Sequence, residues 1–222
     1  KTDRIQYHDG QFKSVDKYCY IIIRNEAIPI NVYIGVDIAA TATEKSDFQV
    51  IMVIGVDSNK NRYVLEYFRE RIPTFDLPKE IIRISRKYSP VRRVTIETVA
   101  AQEMVRDMVT RMASEDRRLI PGIFKGVKPP AGIKKADRLE TSLGPIVNSK
   151  KLYIRREMTE LVDEMFEHPV PRNDDLMDGL YYADYYSKAP LSSAISVTDM
   201  KSGKKGGSKI KGYYNWMTGA RR

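Results

Sequence analysis

Acidic side chains end two apolar runs of this sequence. Asp37 follows the run 33–36, and Glu97 follows the run 94–96. A carboxylate at the end of a buried strand must be paired, protonated or bound to a metal, because an isolated charge is costly to remove from water. If the two strands are parallel neighbours in one sheet, both carboxylates emerge close together at the same edge.

A third acidic cluster, Asp174, Asp175 and Asp178, opens an apolar segment near residue 180. Residues three or four positions apart share one face of a helix, so Asp178 shares a face with each of the other two aspartates. Asp174 and Asp175 also suit a helix start, where the helix dipole favours an anion. That simpler role is open for either of them, but it does not account for Asp178.

Carboxylates that converge without a thiolate or an imidazole favour a hard divalent ion, Mg²⁺ or Mn²⁺. Two such ions about 4 Å apart would activate a water and stabilise the leaving oxygen in phosphodiester cleavage. The chain has two histidines, His8 and His168, and both are predicted to be surface residues. A P-loop, a nucleophile elbow and a dinucleotide fingerprint are missing from the sequence.

The composition is that of an ordinary globular protein. The 222 residues are 42% hydrophobic and 30% charged, enough for one large domain with its own core. A single cysteine, Cys19, excludes a disulfide framework and a Cys-rich zinc module. The apolar runs are too short for a membrane span, and the polar first residues predict no secretory signal. The initial lysine indicates a fragment of a longer protein.

The net charge of +9 makes nucleic acid a natural partner. From residue 199 onward, seven basic residues stand against one acidic residue, so the tail holds most of the excess. The charge of the remaining chain is therefore weak evidence for DNA binding. A tail that only improves solubility is the alternative.

The hydrophobic pattern predicts the elements that must position these acids. Strands at 31–37, 47–57 and 62–68 with short links indicate an antiparallel meander. The later predicted elements, in order, are a helix between 76 and 89, a strand at 91–97, a helix at 100–113, a strand at 119–124, a helix at 136–147, a strand at 151–154 and helices at 157–167 and 174–187. This order predicts an α/β fold with a mixed sheet flanked by helices.

Three further segments are predicted by composition. Residues 1–30 are predicted to be an approach segment that contains an edge strand or a docking arm. Residues 125–134 contain two prolines and two glycines and are predicted to form an excursion from the core. Residues 189–222 are rich in Ser, Gly and Lys and are predicted to be a flexible basic tail.

These segments together resemble the RNase H-like nuclease superfamily, and more closely the C-terminal nuclease domain of tailed-phage terminase large subunits. The resemblance rests on YIGVDIA at 33–39, SDF at 46–48, VTIET at 94–98, KKADRLE at 134–140 and NDDLMDGL at 173–180, and it covers about residues 30–188. Two positions depart from the family pattern. Asn173 stands where His often precedes the aspartate pair, and Gly179 stands where Ala is common.

The resemblance implies a mixed RNase H-like sheet of five or more strands and an endodeoxyribonuclease that uses two Mg²⁺ or Mn²⁺ ions. Asp37 would bridge the two ions, Glu97 would bind one and Asp178 the other. Asp175 would be a ligand or hold a water. Asp47 would lie near the site, as its counterpart in the family does, although a turn at the start of its strand explains this residue equally well.

The resemblance also implies a role in DNA binding for Lys134, Lys135 and Arg138, which begin the helix after the excursion. They would contact DNA phosphate, with a solvated helix end as the alternative. Positive charge at a helix start opposes the dipole, which favours the phosphate role. The substrate would be double-stranded viral DNA concatemers, cut in the host cytoplasm during genome packaging.

The partners implied are the ATPase domain of the same polypeptide, joined through residues 1–30, the portal protein and the small terminase subunit, with no membrane. Two other functions stay open. Another RNase H-like nuclease, such as a junction resolvase, a transposase or RNase H, shares the acidic constellation. A non-catalytic DNA-binding module that acts through its basic tail would leave the three acidic clusters unexplained.

Overall fold

The computed structural model describes residues 4–39, 48–98, 102–171, 173–191 and 195–196. The strands within these ranges are β1 (Gln6–Tyr7), β2 (Gln11–Val15), β3 (Tyr18–Ile23), β4 (Glu26–Asp37), β5 (Gln49–Val56), β6 (Arg62–Glu70), β7 (Val91–Glu97), β8 (Phe124–Val127), β9 (Leu152–Ile154) and β10 (Ile195–Ser196). The helices are α1 (Leu77–Lys87), α2 (Gln102–Ser114), α3 (Lys135–Asn148), α4 (Thr159–Glu167) and α5 (Asp175–Asp184). Across the same ranges, no helix combines the length and the apolar character that a membrane crossing needs.

Strand β4 lies at the centre of a mixed sheet. Its C-terminal half pairs antiparallel with β5 on one edge and parallel with β7 on the other. Strand β5 pairs antiparallel with β6, so the predicted three-strand meander is confirmed. Strands β8 and β9 extend the sheet by pairing parallel with β7 and β6. The mixed sheet flanked by helices therefore agrees with the predicted fold class.

Residues 6–30, predicted to be an approach segment with an edge strand or docking arm, contribute strands to the sheet. Strands β2 and β3 form a hairpin, and β3 pairs antiparallel with the N-terminal half of β4. Arg24 and Asn25 form the tight turn between β3 and β4, with φ angles of 48° and 65°. Two-residue hairpin turns need such positive φ values, but Arg-Asn lacks the glycine that usually marks them. The hairpin was therefore not visible in the sequence.

Alternate residues of the central strands enter two cores, one on each face of the sheet. Val36 and Ile96 pack with α1 and α2 on one face. Val50 packs with α3, α4 and α5 on the other. Successive side chains of a strand point to opposite faces, so Asp37 and Glu97 belong to the face that α5 covers.

Helix α5 lies directly on β4 and β5 because two glycines meet there. A Cβ atom on Gly35 would come within 2.1 Å of the Gly179 carbonyl oxygen and 2.2 Å of the Ala183 nitrogen. A Cβ atom on Gly179 would come within 2.7 Å of Val50 Cγ1. The close contact lays the helix across the strand that ends in Asp37.

Two further differences concern the strand predicted at 119–124 and the last helix. The strand predicted at 119–124 is replaced by a 3₁₀ turn, Pro121–Ile123, followed by β8. Pro121 and Gly122 interrupt the extended chain, so pairing with β7 begins only at Phe124. The connection to α3 is thus residues 128–134, shorter than the predicted excursion. The last helix also ends at Asp184, three residues earlier than predicted.

Candidate active site

Asp37 and Glu97 are the last residues of the parallel neighbours β4 and β7. Val36 pairs with Ile96 in the register of these strands, so the two carboxylates share one sheet edge. A side-chain hydrogen bond joins them. Burial, this hydrogen bond and the nearby charge of Asp178 raise the pKa of Asp37 well above its usual value. Two carboxylates this close require a shared proton or a cation between them.

Asp178 reaches the same edge from the first turn of α5. Its side chain is 4% exposed, and its charge acts directly on Asp37. Burial raises the pKa of Asp178, against the opposing effect of Lys135 and Arg138. The structure therefore brings together one acid from each of the three clusters in the sequence.

Two basic side chains of α3 hold Asp178 on both oxygens. Arg138 Nη2 donates to Asp178 Oδ1 at 2.6 Å, and Lys135 Nζ pairs with Asp178 Oδ2. Lys135 also donates to Asp174 Oδ1 at 2.7 Å. Burial disfavours the charge of Lys135, but these carboxylates outweigh it and raise the pKa of the amine. Lys134, the third residue predicted to contact DNA, is exposed at the start of the helix.

The chemistry of this edge fits a hard divalent cation, since Asp37, Glu97 and Asp178 offer carboxylate oxygens as ligands. Asp37 and Glu97 already contact each other and are suited to share one ion. Asp178 would have to exchange a basic partner for an ion in order to become a ligand. Among the described residues, no group of three His, Cys, Asp or Glu side chains is arranged so that it could hold a metal ion as it stands.

Asp175, predicted as a ligand or a water-holding residue, contacts a separate basic side chain. Its Oδ2 lies 3.5 Å from Nη2 of the buried Arg69 on β6. Arg69 also stacks over the Phe48 ring, 4.2 Å from its centre. A metal-binding role for Asp175 stays a prediction. Asp47 and the tail beyond residue 196 lie outside the described residues.

Tyr182 belongs to this edge and was not predicted from the sequence. It follows Asp178 by four residues on α5, and its fully buried hydroxyl faces Glu97. Burial and the Glu97 charge raise the pKa of this phenol. The four-residue spacing was the available signal, because residues that far apart share a helix face.

Glu164 of α4 was also missed. Its Oε2 accepts the backbone N–H groups of Leu176 and Met177 at 3.0 and 3.1 Å, in the first turn of α5. Burial raises the pKa of Glu164 to about 7. The sequence contains no signal for this contact, because α4 and α5 are predicted from independent patterns.

The prediction that His8 is a surface residue is wrong, because the residue is buried. Its Nε2 donates to the Val64 carbonyl oxygen at 3.0 Å, and its Nδ1 accepts the Gly10 N–H at 3.2 Å. Both bonds suit a neutral ring, and burial lowers the pKa of His8. The residue stabilises the junction of β1 and β6 and lies outside the carboxylate cluster.

Neither a family model nor a curated protein sequence matches the chain. Among solved structures, the chain is similar to the large terminase nuclease of thermophilic phage G20c, determined with bound zinc. The TM-score is 0.54 at 14% identity, over 84% of this chain and 96% of that one. It is also similar to the large terminase nuclease domain of Thermus phage P74-26, with a TM-score of 0.50 at 12% identity over 85% of this chain and 96% of that one.

The fold is therefore RNase H-like, as the resemblance implied. Within that class, it is the fold of phage large terminase nuclease domains.

Proposed function

We propose that this chain is a metal-dependent endonuclease that cuts double-stranded viral DNA during genome packaging, as the nuclease domain of a large terminase subunit. The observation that carries the proposal is the meeting of Asp37, Glu97 and Asp178 at one sheet edge, from three separate elements. The fold shared with terminase nucleases supports it. The ATPase domain of the same polypeptide, the portal protein and the small terminase subunit are the partners expected of such a domain.

Asp37, Glu97 and Asp178 would hold two divalent ions, Mg²⁺ or Mn²⁺, with Asp175 as a further candidate ligand. Bound ions would supply Lewis-acid activation of a water and charge stabilisation at the leaving oxygen. The zinc bound to the G20c nuclease supports a divalent cation for this chain too.

The protein's own residues prepare this edge for a charged substrate. Lys135 and Arg138 offset the negative charge of Asp178 and keep α5 against the sheet, where carboxylates alone would repel one another. The buried Tyr182 hydroxyl lies near Glu97, and burial together with the Glu97 charge raises the pKa of the phenol. Lys134 is exposed beside them and would provide a contact to DNA phosphate, whereas Lys135 and the 9% exposed Arg138 would have to release Asp178 to do the same.

Plasmid cleavage by the chain in Mg²⁺, Mn²⁺ or EDTA tests the proposal, with Asp37→Asn as the variant. Asparagine keeps the shape of Asp37 and removes a carboxylate that burial and Glu97 already disfavour. We therefore expect the variant to fold with unchanged or higher stability and to lose cleavage. Asp163→Asn, at an exposed aspartate of α4, is the matched control.

The kind of nucleic acid that the chain cleaves distinguishes a terminase nuclease from the related nucleases. Metal-dependent nicking and linearisation of duplex DNA, absent in Asp37→Asn and retained in Asp163→Asn, is the expected result. Cleavage confined to a four-way junction, or to RNA in a hybrid, would replace the packaging role by another RNase H-like nuclease. Cleavage that persists in Asp37→Asn, or the absence of both metal binding and cleavage, would overturn the catalytic proposal.

A further inference from the structure

The first turn of α5 is capped by another helix. In the part of the chain that the structure describes, Asp174 at the N-cap makes no side-chain capping hydrogen bond. The N–H groups of Leu176 and Met177 donate instead to Glu164 Oε2, at 3.0 and 3.1 Å. Initial N–H groups of a helix have no partner within the helix, so a carboxylate there satisfies them and interacts favourably with the dipole.

Glu164 is itself held in place from the sheet. Its side chain is 6% exposed, and its Oε1 lies 3.7 Å from Nη2 of Arg69. The same Arg69 nitrogen lies 3.5 Å from Asp175 Oδ2, on the turn that Glu164 caps. Strand β6, helix α4 and the start of α5 are thus tied together by one buried ionic group.

Asp178 follows Met177 directly, so the capped turn is the turn that carries it. We propose that Glu164 is a positioning residue: it fixes the height and rotation of the α5 first turn at which Asp178 meets Asp37. The capping contact stands on geometry alone, whereas its catalytic consequence rests on the proposed nuclease function. Partners that orient metal ligands typically affect metal affinity or activity by about 10- to 100-fold.

Three variants separate positioning from simple stabilisation. Glu164→Ala removes the cap. Glu164→Gln keeps a carbonyl oxygen that can accept both N–H groups, but it removes the charge and places an amide NH2 where Oε1 faces Arg69. Glu160→Ala is the matched control, because Glu160 lies on the same helix and is 3.5 Å from Arg69 but is 56% exposed and accepts its hydrogen bond from Tyr67.

Three measurements are made on each variant. Amide hydrogen exchange by NMR reports the Leu176 and Met177 N–H groups directly. Calorimetry reports the affinity for Mn²⁺ without any turnover. Plasmid cleavage separates kcat from the KM for DNA.

For Glu164→Ala we expect exchange at Leu176 and Met177 to accelerate at least about 10-fold, and Mn²⁺ affinity and kcat to fall about 10- to 100-fold. The KM for DNA should stay within about twofold, since the binding surface is unchanged. Glu164→Gln should recover most of each loss, and Glu160→Ala should match the unmodified chain. If Glu164→Ala does not fold, Glu164→Asp replaces it, because it keeps the charge but shortens the reach to α5.

A lower melting temperature for Glu164→Ala with unchanged Mn²⁺ affinity and kcat would overturn the proposal and leave Glu164 a structural residue. Equal losses in Glu164→Gln and Glu164→Ala would also overturn it, because the cap would then not be the cause. Failure of the nuclease proposal is recognised separately, by metal binding and cleavage that survive Asp37→Asn. The exchange rates at Leu176 and Met177 still test the cap in that case.

Discussion

Replacing Gly35 by alanine is expected to force α5 away from the sheet. The new Cβ would lie 2.1 Å from the Gly179 carbonyl oxygen, where van der Waals contact requires about 3.4 Å, so the gap must open by about 1.3 Å. The Ala183 nitrogen, at 2.2 Å, imposes a similar shift. Both atoms belong to the helix backbone and cannot rotate away. The cost should therefore reach the upper end of the roughly 1–3 kcal/mol that overpacking causes.

Stability and activity should both respond to this change. A loss of about 3 kcal/mol lowers the melting temperature of a domain this size by roughly 6–12 °C. Because α5 carries Asp178, a displacement of about 1 Å should also slow cleavage by about 100-fold. Circular dichroism during heating measures the first effect, and plasmid cleavage in Mn²⁺ measures the second.

Gly122→Ala is the matched control for this experiment. Among the described residues other than its two chain neighbours, no heavy atom lies within 4 Å of a Cβ placed on Gly122, so the substitution should leave both measurements unchanged. If Gly35→Ala melts and cleaves like the unmodified chain, α5 does not pack against β4 at these distances. The contact at Gly35 would then not be what brings Asp178 to Asp37.

Arg138→Ala should lower the free energy of unfolding by about 3 kcal/mol, because removing one partner of a buried ion pair leaves Asp178 less compensated; a loss below about 1 kcal/mol in urea unfolding would contradict this. Lys134→Ala should weaken DNA binding and reduce the slope of log affinity against log salt by about one, and an unchanged slope would exclude a phosphate contact. Burial lowers the pKa of His8 below its usual 6.5, so the unfolded chain takes up a proton first and stability falls as the pH drops below about 6.5. His8→Gln should remove this part of the acid destabilisation, which urea unfolding at pH 7.5 and pH 5 measures. A variant whose free energy of unfolding falls between these pH values as much as that of the unmodified chain would contradict this expectation.

The central sheet was predictable because its signals are local. The apolar runs that became β4, β5 and β6 are bounded by polar turns, and short links between them permit only an antiparallel meander. The hairpin of β3 and β4 was missed because Arg24 and Asn25 adopt positive φ angles, and no glycine marks this turn in the sequence. The shift of the strand at 119–124 to β8 has a similar origin, since pairing with β7 decided where the strand begins.

The sequence by itself determined which acids end strands and which acid shares a helix face, because hydrophobic periodicity reports the buried side of each element. From that, Asp37, Glu97 and Asp178 followed as candidates. Only the tertiary structure decided the partners of these acids. The pairing of Lys135 with Asp178 and the capping of α5 by Glu164 depend on how helices cross the sheet, and that crossing is set by close packing at Gly35 rather than by any local pattern.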